Sequence, residues 1–553
     1  MGGLALVLSV WGLASLAPTA FASATTGDHG HRVGTESPGV QVTRTGKGPT
    51  GYQVTFRYRN ASAASVSIKG TWSFSNAAKQ ASDPQNLYPI LPEDWKPGDF
   101  PLQSPNAPSE SWPVAKMTKD RAGLWTYTVP LPSGWFDYQL YPDCAATPPS
   151  TAGCTAIADP SNPTVTGCPD GTSDCTPSTY PWSEVYVPGD RRFGTEDLSW
   201  QTNANLPASR RGTVTNVAYP DPNSTSSAPG SPGTHNMVVY LPPGYDEDRA
   251  TPYPVFVLSH GGGENELAWI NRGRAAQILD TTLAAGKMQA AVVVMTNGGG
   301  LANPDGNSRG AYVNDVTNVV LPYVEQHYHV STQSSGRAFA GTSAYGTQAN
   351  IFMFGTAASG FTNPDTDRFG YYGAWSPAAG APPITVTGQG PGPTAPQYQN
   401  DALTSLAGID VAIGTYDLGG NAPMLTATTE RQGLQNAGVP FRWFSVDGGH
   451  TWAFWRLALH DFLENMVFKT TTTSATLTGH SLSVSVSGVT TEPVAPTGTV
   501  TVYAGGQPVG ATRRLHHGTA ALPLTGLAGQ SVTVVYHGDH YYTRSASTAV
   551  TAP

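Results

Sequence analysis

A serine in a segment of small residues is the first candidate for chemistry in this chain. Ser343 lies in GTSAYG (residues 341–346), directly after a predicted strand. A G-x-S-x turn between a strand and a helix holds its serine in a strained backbone conformation, so the neighbouring residues must be small. The fifth position of this motif holds Tyr345 where glycine is usual, and Gly346 follows one place later. In a chain with 62 glycines, this motif alone is weak evidence for a nucleophile.

An aspartate and a histidine further along the chain could complete a catalytic triad. Asp417 lies just past an apolar strand predicted at 411–413, and His450 follows the next predicted strand, in GGHTW. Because the carboxyl ends of parallel strands meet at one edge of a sheet, both side chains are expected there. The order serine, aspartate, histidine is that of α/β-hydrolase triads. Asp447, on the same loop as His450, is the alternative acid, whereas Asp410 precedes its strand and is expected at the opposite edge.

A glycine-rich loop upstream of the serine offers backbone hydrogen-bond donors. The segment SHGGG (residues 259–263) follows the apolar run Val255–Leu258, which is typical of a buried strand. Successive glycines expose backbone N–H groups without side-chain obstruction, as binding the oxyanion of a tetrahedral intermediate requires. A plain glycine turn would explain neither the preceding strand nor the position upstream of the serine. The four motifs in this order therefore predict acyl-transfer chemistry.

Together these motifs resemble the family that includes esterase D, the feruloyl and acetylxylan esterases of carbohydrate esterase family 1, and the enterochelin esterases. The resemblance covers roughly residues 210–468, and the ordered combination is far more specific than any single motif. Further matching segments are YLPPGY (240–245), ELAW (266–269), LPYVE (321–325) and GHTWAFWR (449–456).

The resemblance implies a serine carboxylesterase that works through an acyl-enzyme. Ser343 would attack the ester carbonyl, His450 would act as base and then as acid, and Asp417 would orient the imidazole. The oxyanion hole would combine backbone N–H groups: Ala344 with Gly262 or Gly263. Three aromatic residues in or beside the motifs are candidates for substrate contact: Trp269, Tyr345 and Trp452. Tyr345 departs from the family's glycine, which bears on the tightness of the turn and the shape of the acyl pocket.

The elements that must position these residues alternate between strand and helix over residues 195–469. Near-continuous apolar runs such as Ala290–Met295 are typical of strands buried on both faces of a parallel sheet. Helices are predicted at Asp315–His327, Leu425–Asn436 and Thr451–Val467. This alternation predicts a doubly wound, mostly parallel α/β-hydrolase sheet.

An all-β segment is predicted on each side of this region. In residues 49–190, apolar and polar residues alternate over 51–59, and further strands are predicted at 65–72, 124–129 and 135–141. DPSNP (159–163) resembles the exit of the immunoglobulin-like domain that precedes the catalytic domain in many secreted and siderophore esterases. The tryptophans Trp72, Trp112, Trp125 and Trp135 could form a sugar-binding platform, although core positions are commoner for such residues.

The second all-β segment, residues 474–553, follows a threonine-rich junction. Strict alternation at Leu482–Val486 and Thr499–Tyr503, with a hairpin turn at Gly505-Gly506, predicts a small sandwich. Its PTGTVT and YHGDHYY segments resemble bacterial immunoglobulin-like repeats, which occur as spacers on exported proteins. Either flanking sandwich could contact cell wall or polymer.

The four cysteines predict disulfides rather than a metal site. Cys144, Cys154, Cys168 and Cys175 form an even, clustered set, and no pair has the spacing of a zinc site. Sequential pairing, 144 with 154 and 168 with 175, is favoured within this loop-rich region. No metal or other cofactor is expected, since His327 and His329, two residues apart at a helix end, diverge.

The N-terminus and the composition favour export. Leu4–Leu16 is an apolar run followed by the small-residue cleavage site Ala22-Ser23-Ala24, so residues 1–24 are predicted to be a signal peptide and 25–48 a linker. An N-terminal membrane anchor is the alternative, and no later segment reaches spanning length. The net charge of −9 without any basic run argues against a nucleic-acid partner.

The sequence therefore predicts a secreted three-domain serine carboxylesterase acting on feruloyl, acetyl or related esters. Acyl transfer of the mycolyltransferase type is the alternative within enzymes. A non-catalytic cell-surface or carbohydrate-binding protein on a hydrolase scaffold is the alternative of another class.

Overall fold

A computed structural model describes the chain with several gaps. The described residues are 37–84, 86–102, 114–146, 151, 153–162, 182–225, 232–249, 252–303, 306, 310–356, 367–378, 396–417, 422–469, 471–488, 496–510, 512–539, 542 and 544–553. The predicted signal peptide, Trp112, and the second cysteine pair, Cys168 and Cys175, lie outside them.

The N-terminal unit is a β-sandwich of two four-stranded antiparallel sheets, which we call the N-terminal sandwich. The sheets have the orders β1-β2-β8-β7 and β10-β9-β3-β6 and enclose one apolar core. Its elements are β1 (Gly39–Arg44), β2 (Tyr52–Arg59), β3 (Val66–Gly70), β4 (Phe74–Ser75), α1 (Ala77–Ser82), β5 (Phe100–Pro101), β6 (Val114–Lys116), β7 (Thr118–Lys119), β8 (Leu124–Val129), β9 (Gly134–Pro142) and β10 (Ser183–Val187).

Two sequence expectations can be compared with this unit directly. Cys144 and Cys154 form the predicted disulfide. Trp72 and Trp125 are buried in the core, so neither belongs to an exposed sugar-binding platform.

The central unit is built on one eight-stranded sheet, in the order β11-β12-β14-β13-β15-β16-β17-β18. In this sheet order, the six strands from β14 to β18, which include β13, are mutually parallel, and β11 and β12 add an antiparallel edge. Its strands are β11 (Thr213–Pro220), β12 (Thr234–Leu241), β13 (Val255–Ser259), β14 (Val292–Thr296), β15 (Arg337–Thr342), β16 (Tyr371–Trp375), β17 (Gly408–Gly414) and β18 (Arg442–Val446). The predicted mostly parallel α/β sheet is therefore present.

Helices cover both faces of this sheet. Alternate residues of β13 point to opposite sides, Phe256 and Leu258 into one core and Val257 into the other. The helices are α2 (Ala268–Asn271), α3 (Ala275–Ala284), α4 (Ala311–Asp315), α5 (Leu321–His327), α6 (Ala344–Phe354), α7 (Pro423–Ala437) and α8 (Trp452–Asn465).

The helix predicted at Asp315–His327 differs from the observed one. The helical segment begins earlier, at Ala311, and a π-helical stretch, Val316–Val320, joins α4 to α5. Pro322 lies in the first turn of α5, directly after the π-helical stretch. The wider π-turn before it explains how a proline is accommodated without ending the helix.

The C-terminal unit has two small sheets around a core of its own, with the orders β19-β20-β24 and β22-β21-β25-β26. Its strands are β19 (Thr471–Thr478), β20 (Ser481–Gly488), β21 (Thr499–Ala504), β22 (Gln507–Pro508), β23 (Arg513–Arg514), β24 (Thr519–Pro523), β25 (Ser531–Tyr536), β26 (Ser545–Ala546) and β27 (Val550–Thr551). Gly505 and Gly506 form the predicted hairpin turn, both with positive φ. In the described ranges, no helix is long and apolar enough to cross a membrane.

Candidate active site

Ser343 lies on a sharp turn between β15 and α6. Its backbone has φ +53° and ψ −118°, an unusual conformation for a residue with a side chain. The strain is held by the surrounding sheet, because the Ser343 N–H donates to the Trp375 carbonyl at 2.9 Å. This is the geometry expected of a nucleophile elbow, with the serine at the carboxyl end of a central strand.

Gly346, and not Tyr345, lies where α6 approaches β16 most closely. A Cβ on Gly346 would lie 2.6 Å from the Trp375 carbonyl, so the close approach of α6 to β16 requires glycine there. Tyr345 instead points away from the cavity and packs against His260 and Tyr312, with ring centroids at 4.5 and 4.7 Å. Burial raises the pKa of Tyr345 to about 12. Tyr345 does not border the cavity described below.

Ser343, His450 and Asp417 form a continuous hydrogen-bonded chain. The Ser343 Oγ lies 2.9 Å from His450 Nε2, and His450 Nδ1 lies 3.1 Å from each Asp417 carboxylate oxygen. The Asp417 side chain is fully buried, whereas that of His450 is 30% exposed. A buried carboxylate on Nδ1 favours the tautomer in which Nε2 accepts a proton from the serine.

The other two carboxylates considered from the sequence lie elsewhere. Asp447 is at the surface and accepts a hydrogen bond from Thr415 Oγ1 at 2.7 Å. Asp410 lies in β17, where its buried carboxyl accepts from Trp375 Nε1 at 2.8 Å. Of the three, the structure brings Asp417 to His450.

The glycine-rich loop after β13 lies directly beside the elbow. A Cβ on Gly261 would be 3.7 Å from the Ser343 Cβ, and one on Gly262 would be 3.4 Å from the Ala344 Cβ. A Cβ on Gly263 would meet nothing within 4 Å. Gly262 is therefore the glycine that lies beside Ala344 at the start of α6.

Both sides of Gly261 are held by hydrogen bonds. The Gly261 N–H donates to Glu264 Oε2 at 3.1 Å, and its carbonyl lies 2.6 Å from His260 Nδ1. Burial lowers the pKa of His260, and the Gly261 carbonyl opposes this shift. A neutral imidazole protonated on Nδ1 donates to that carbonyl while Nε2 accepts from the Gly298 N–H, so the loop is fixed from both directions.

A cavity of about 180 Å³ opens at Ser343 and His450, and it is lined by two units of the molecule. The central unit contributes Gly261, Gly262, Glu264, Arg272, Ser343, His450, Thr451, Trp452, Ala453, Trp455 and Arg456. The N-terminal sandwich contributes Thr71, Pro101, Leu102, Trp135, Phe136 and Asp137. Of this second wall, the sequence singled out only Trp135, as one of four candidate sugar-binding tryptophans, because no motif marks residues that reach a site by docking of one unit on another.

The three aromatic candidates for substrate contact differ in position. Trp452 lines the cavity. Trp269 is buried beneath it, where its indole N–H donates to the Ser259 carbonyl at 2.8 Å and its ring packs edge-on against Trp452 at 5.0 Å. Trp269, like Tyr345, does not border the cavity, so its contact with this space is through Trp452.

Charged groups form one wall of the cavity. Arg272 bridges Asp137 of the N-terminal sandwich and Glu264, whose Oε1 also accepts from Trp452 Nε1 at 2.9 Å. Burial lowers the pKa of Arg456 to about 10, and the nearby Asp137 carboxylate opposes the shift. The described residues contain no group of three or more His, Cys, Asp or Glu arranged to hold a metal ion.

Comparisons with known proteins match this part of the chain. Residues 231–466 match the family model described as "Putative esterase". An endo-1,4-beta-xylanase/feruloyl esterase of Xylanibacter ruminicola is 32% identical over 147 residues, covering 25% of this chain and 19% of that protein. An esterase of Mycobacterium tuberculosis is 28% identical over 264 residues, covering 41% of this chain and 54% of that protein. This chain thus spans well under two thirds of these relatives.

Solved structures with similarity to the chain include two esterases. The enterobactin esterase of Shigella flexneri has 15% identity and a TM-score of 0.44, covering 79% of this chain and 98% of that one. A ferulic acid esterase of Anaeromyces mucronatus has 20% identity and a TM-score of 0.37, covering 49% of this chain and 96% of that one. Residues 231–466 of this chain are thus similar to the Putative esterase family model and, in part, to curated relatives named as esterases.

Proposed function

We propose that this protein is a serine carboxylesterase that hydrolyses carboxylic esters through an acyl-enzyme. The observation that carries the proposal is the hydrogen-bonded chain from Ser343 Oγ through His450 to the buried Asp417, on a strained turn at the mouth of a cavity. The match of residues 231–466 to the Putative esterase family model supports the same chemistry.

In the proposed reaction, Ser343 Oγ attacks the ester carbonyl carbon while His450 Nε2 takes the hydroxyl proton. The imidazolium then gives this proton to the departing alkoxide, which leaves the acyl group on Ser343. A water molecule repeats the sequence, with His450 first as base and then as acid, and releases the carboxylic acid. Asp417 keeps the imidazole in the productive tautomer and stabilises its charged form.

The oxyanion of each tetrahedral intermediate would be held by backbone N–H groups. Ala344 occupies the first position of α6, where N–H groups have no acceptor within the helix. Gly262 lies beside it and borders the cavity, which favours Gly262 over Gly263 as the second donor. Such donors act strongly because they are in place before the charge develops.

Esters of plant cell-wall type are the first substrates to test, since two curated relatives are named for xylan or feruloyl ester breakdown. We further propose that the protein is exported and that its two flanking β units are immunoglobulin-like modules that could contact cell wall or polymer. The Cys144–Cys154 disulfide supports an oxidising compartment.

The direct test is hydrolysis of p-nitrophenyl acetate, its longer-chain homologues and methyl ferulate by the full chain. Ser343→Ala is expected to lower kcat by at least about 10³-fold without loss of fold, because triad members act as a unit. A fluorophosphonate should label Ser343 in the wild type and fail to label the variant. Wild-type activity in the folded alanine variant would contradict the nucleophile.

The acid is tested by a matched pair of variants. Asp417→Asn keeps the shape but favours the wrong imidazole tautomer, with an expected loss on the order of 10²–10⁴ in kcat at neutral pH. Asp447→Asn, on the exposed loop, should cost less than about tenfold. The reverse ordering in two folded variants would assign the acid to Asp447.

A further inference from the structure

A chain of charged side chains runs from the N-terminal sandwich to the glycine-rich loop beside Ser343. Asp137, in β9, accepts hydrogen bonds from Arg272 Nε and Nη2, each at 3.1 Å. Arg272 Nη1 lies 3.3 Å from Glu264 Oε1, and Glu264 Oε2 accepts from the Gly261 N–H at 3.1 Å. One carboxylate of a different unit is thus three contacts from the backbone beside the nucleophile.

These charged side chains are largely shielded from water. The side chain of Asp137 is 6% exposed, and those of Arg272 and Glu264 are about one-fifth exposed. In such surroundings, charge-assisted hydrogen bonds are stronger than those between neutral groups. They therefore fix the relative positions of the side chains that they join.

A second guanidinium holds Arg272 at its backbone. Arg456 is buried and donates to the Arg272 carbonyl at 2.7 Å and to the Trp135 carbonyl at 3.3 Å. Arg272 is therefore held at its side chain by Asp137 and at its carbonyl by Arg456, and both connections lead to β9 of the N-terminal sandwich.

The loop at the end of this chain is where position matters most for the proposed reaction. Gly261 directly precedes Gly262, the proposed second oxyanion donor, and its N–H donates to Glu264. Removal of one oxyanion donor costs on the order of 10²–10³ in kcat, and a displacement of about 1 Å can cost about 10²-fold.

We infer that the N-terminal sandwich positions the glycine-rich loop beside Ser343 in the esterase site, with Asp137, Arg272 and Glu264 as the positioning residues. The inference rests on the proposed function. Under this inference, Asp137, which precedes the family-matched segment 231–466, contributes to the geometry of the esterase site.

The test uses the full chain and p-nitrophenyl acetate, a small ester. Glu264→Ala is expected to lower kcat about 30- to 100-fold and Asp137→Asn about 5- to 10-fold, with KM changed less than about threefold. Glu264→Gln keeps an acceptor for the Gly261 N–H and should recover part of the loss. In the Glu264→Ala background, Asp137→Asn should have less than about a twofold further effect, because the two act through one path.

Glu184→Gln is the matched control. Glu184, in β10 of the N-terminal sandwich, is the cross-strand neighbour of Asp137 and forms a buried ion pair with Arg274 of the central unit, across the same boundary but outside the contacts that join Asp137, Arg272 and Glu264. This variant is expected to lower the unfolding temperature and to leave kcat within about twofold at 25 °C.

The outcomes separate this inference from the proposed function. If the wild type hydrolyses no ester of the series, the proposed function fails and the inference with it. If the wild type is active and Asp137→Asn equals it, or if Asp137→Asn raises KM with kcat unchanged, the positioning role is wrong. An equal loss of kcat in Glu184→Gln would also overturn it, since the whole boundary would then carry the effect.

Discussion

The two β units that flank the central sheet relate to the candidate site in different ways. The N-terminal sandwich supplies six residues of the cavity wall and packs on the loops of the triad. Phe100 stacks on Tyr416, next to Asp417, with ring centroids 5.1 Å apart and planes within 9°, and Leu102 fills the space beside Gly449, next to His450. Among described residues, those that line the cavity all fall between Thr71 and Arg456, so the C-terminal unit supplies none.

The difference teaches that a site can extend beyond the segment by which a family is recognised. Both flanking units have the same alternating strand pattern, and their compositions do not distinguish a wall of the site from a separate module. What distinguishes them is the boundary with the central unit. Buried ion pairs, a cation–π contact and the cavity wall join the N-terminal sandwich to the central unit, whereas the C-terminal unit lines no part of the described cavity.

The comparison is sharpest for two leucine truncations. Leu102→Ala removes the side chain that packs beside Gly449, so the His450 loop loses support and kcat/KM on p-nitrophenyl acetate is expected to fall about tenfold. Leu482→Ala opens a similar cavity in the core of the C-terminal unit. It should destabilise that unit by about 2–5 kcal/mol and leave kcat/KM within about twofold.

Steady-state kinetics and thermal unfolding of Leu102→Ala and Leu482→Ala test these two expectations. Equal activities in the two folded variants would contradict the difference between the flanking units.

The pH dependence of stability is expected to distinguish the central unit from the C-terminal one. Burial raises the pKa of Asp410 to about 7, with Asp461 adding to the shift, and burial raises that of Glu430 to about 8. Between about pH 4, where these groups titrate when unfolded, and those values, the folded state holds protons that the unfolded state has released. The free energy of unfolding therefore falls as pH rises, by up to about 1.4 kcal/mol per pH unit for each group.

Asp410→Asn removes one of these protons while keeping an acceptor for the Trp375 indole. Denaturant unfolding at pH 5, 6 and 7 should give a shallower slope of unfolding free energy against pH in the variant than in the wild type. Residues 471–553 contain only Glu492 and Asp539 as acidic residues, so the contribution of buried carboxyl groups to this slope should be much smaller in the C-terminal unit. An unchanged slope in Asp410→Asn would contradict the assignment.

The smallest expected effect is that of removing the C-terminal unit. Deletion of residues 471–553 should leave kcat/KM on small soluble esters within about twofold, because the described cavity wall ends at Arg456. Binding to insoluble polymer is the property to compare between the two forms. A large loss of activity on the soluble esters, in a truncated chain that remains folded by circular dichroism, would show that this unit also supports the site.

Sequence patterns predicted the local features well. The strand at 124–129 was predicted with its observed bounds, and Ser343, Asp417 and His450 were selected because each follows a strand at the carboxyl edge of a parallel sheet. Alternation and strand-to-helix turns are encoded over a few neighbouring residues, so a single sequence reveals them.

Contacts between distant segments could not be predicted in the same way. Asp137 and Arg272 are far apart in sequence and belong to different units, and nothing near either residue signals the other. Trp269 and Tyr345 stand in or beside the motifs, yet their side chains point into packed regions, because a motif specifies the backbone more closely than the direction of its aromatic neighbours. The π-helical turn before Pro322 likewise depends on packing that the 3.6-residue period does not express.

The packing of Tyr345 has a consequence for the substitutions this elbow can accept. The Tyr345 hydroxyl occupies the place where a Cβ on Gly298 would lie, on the loop after a different strand. Positions 298 and 345 are therefore coupled: alanine at 298 requires the Tyr345 ring to shift, whereas a small residue at 345 would remove this contact. The side chain that departs from the usual G-x-S-x-G pattern thus restricts which residues fit on a separate loop, after β14.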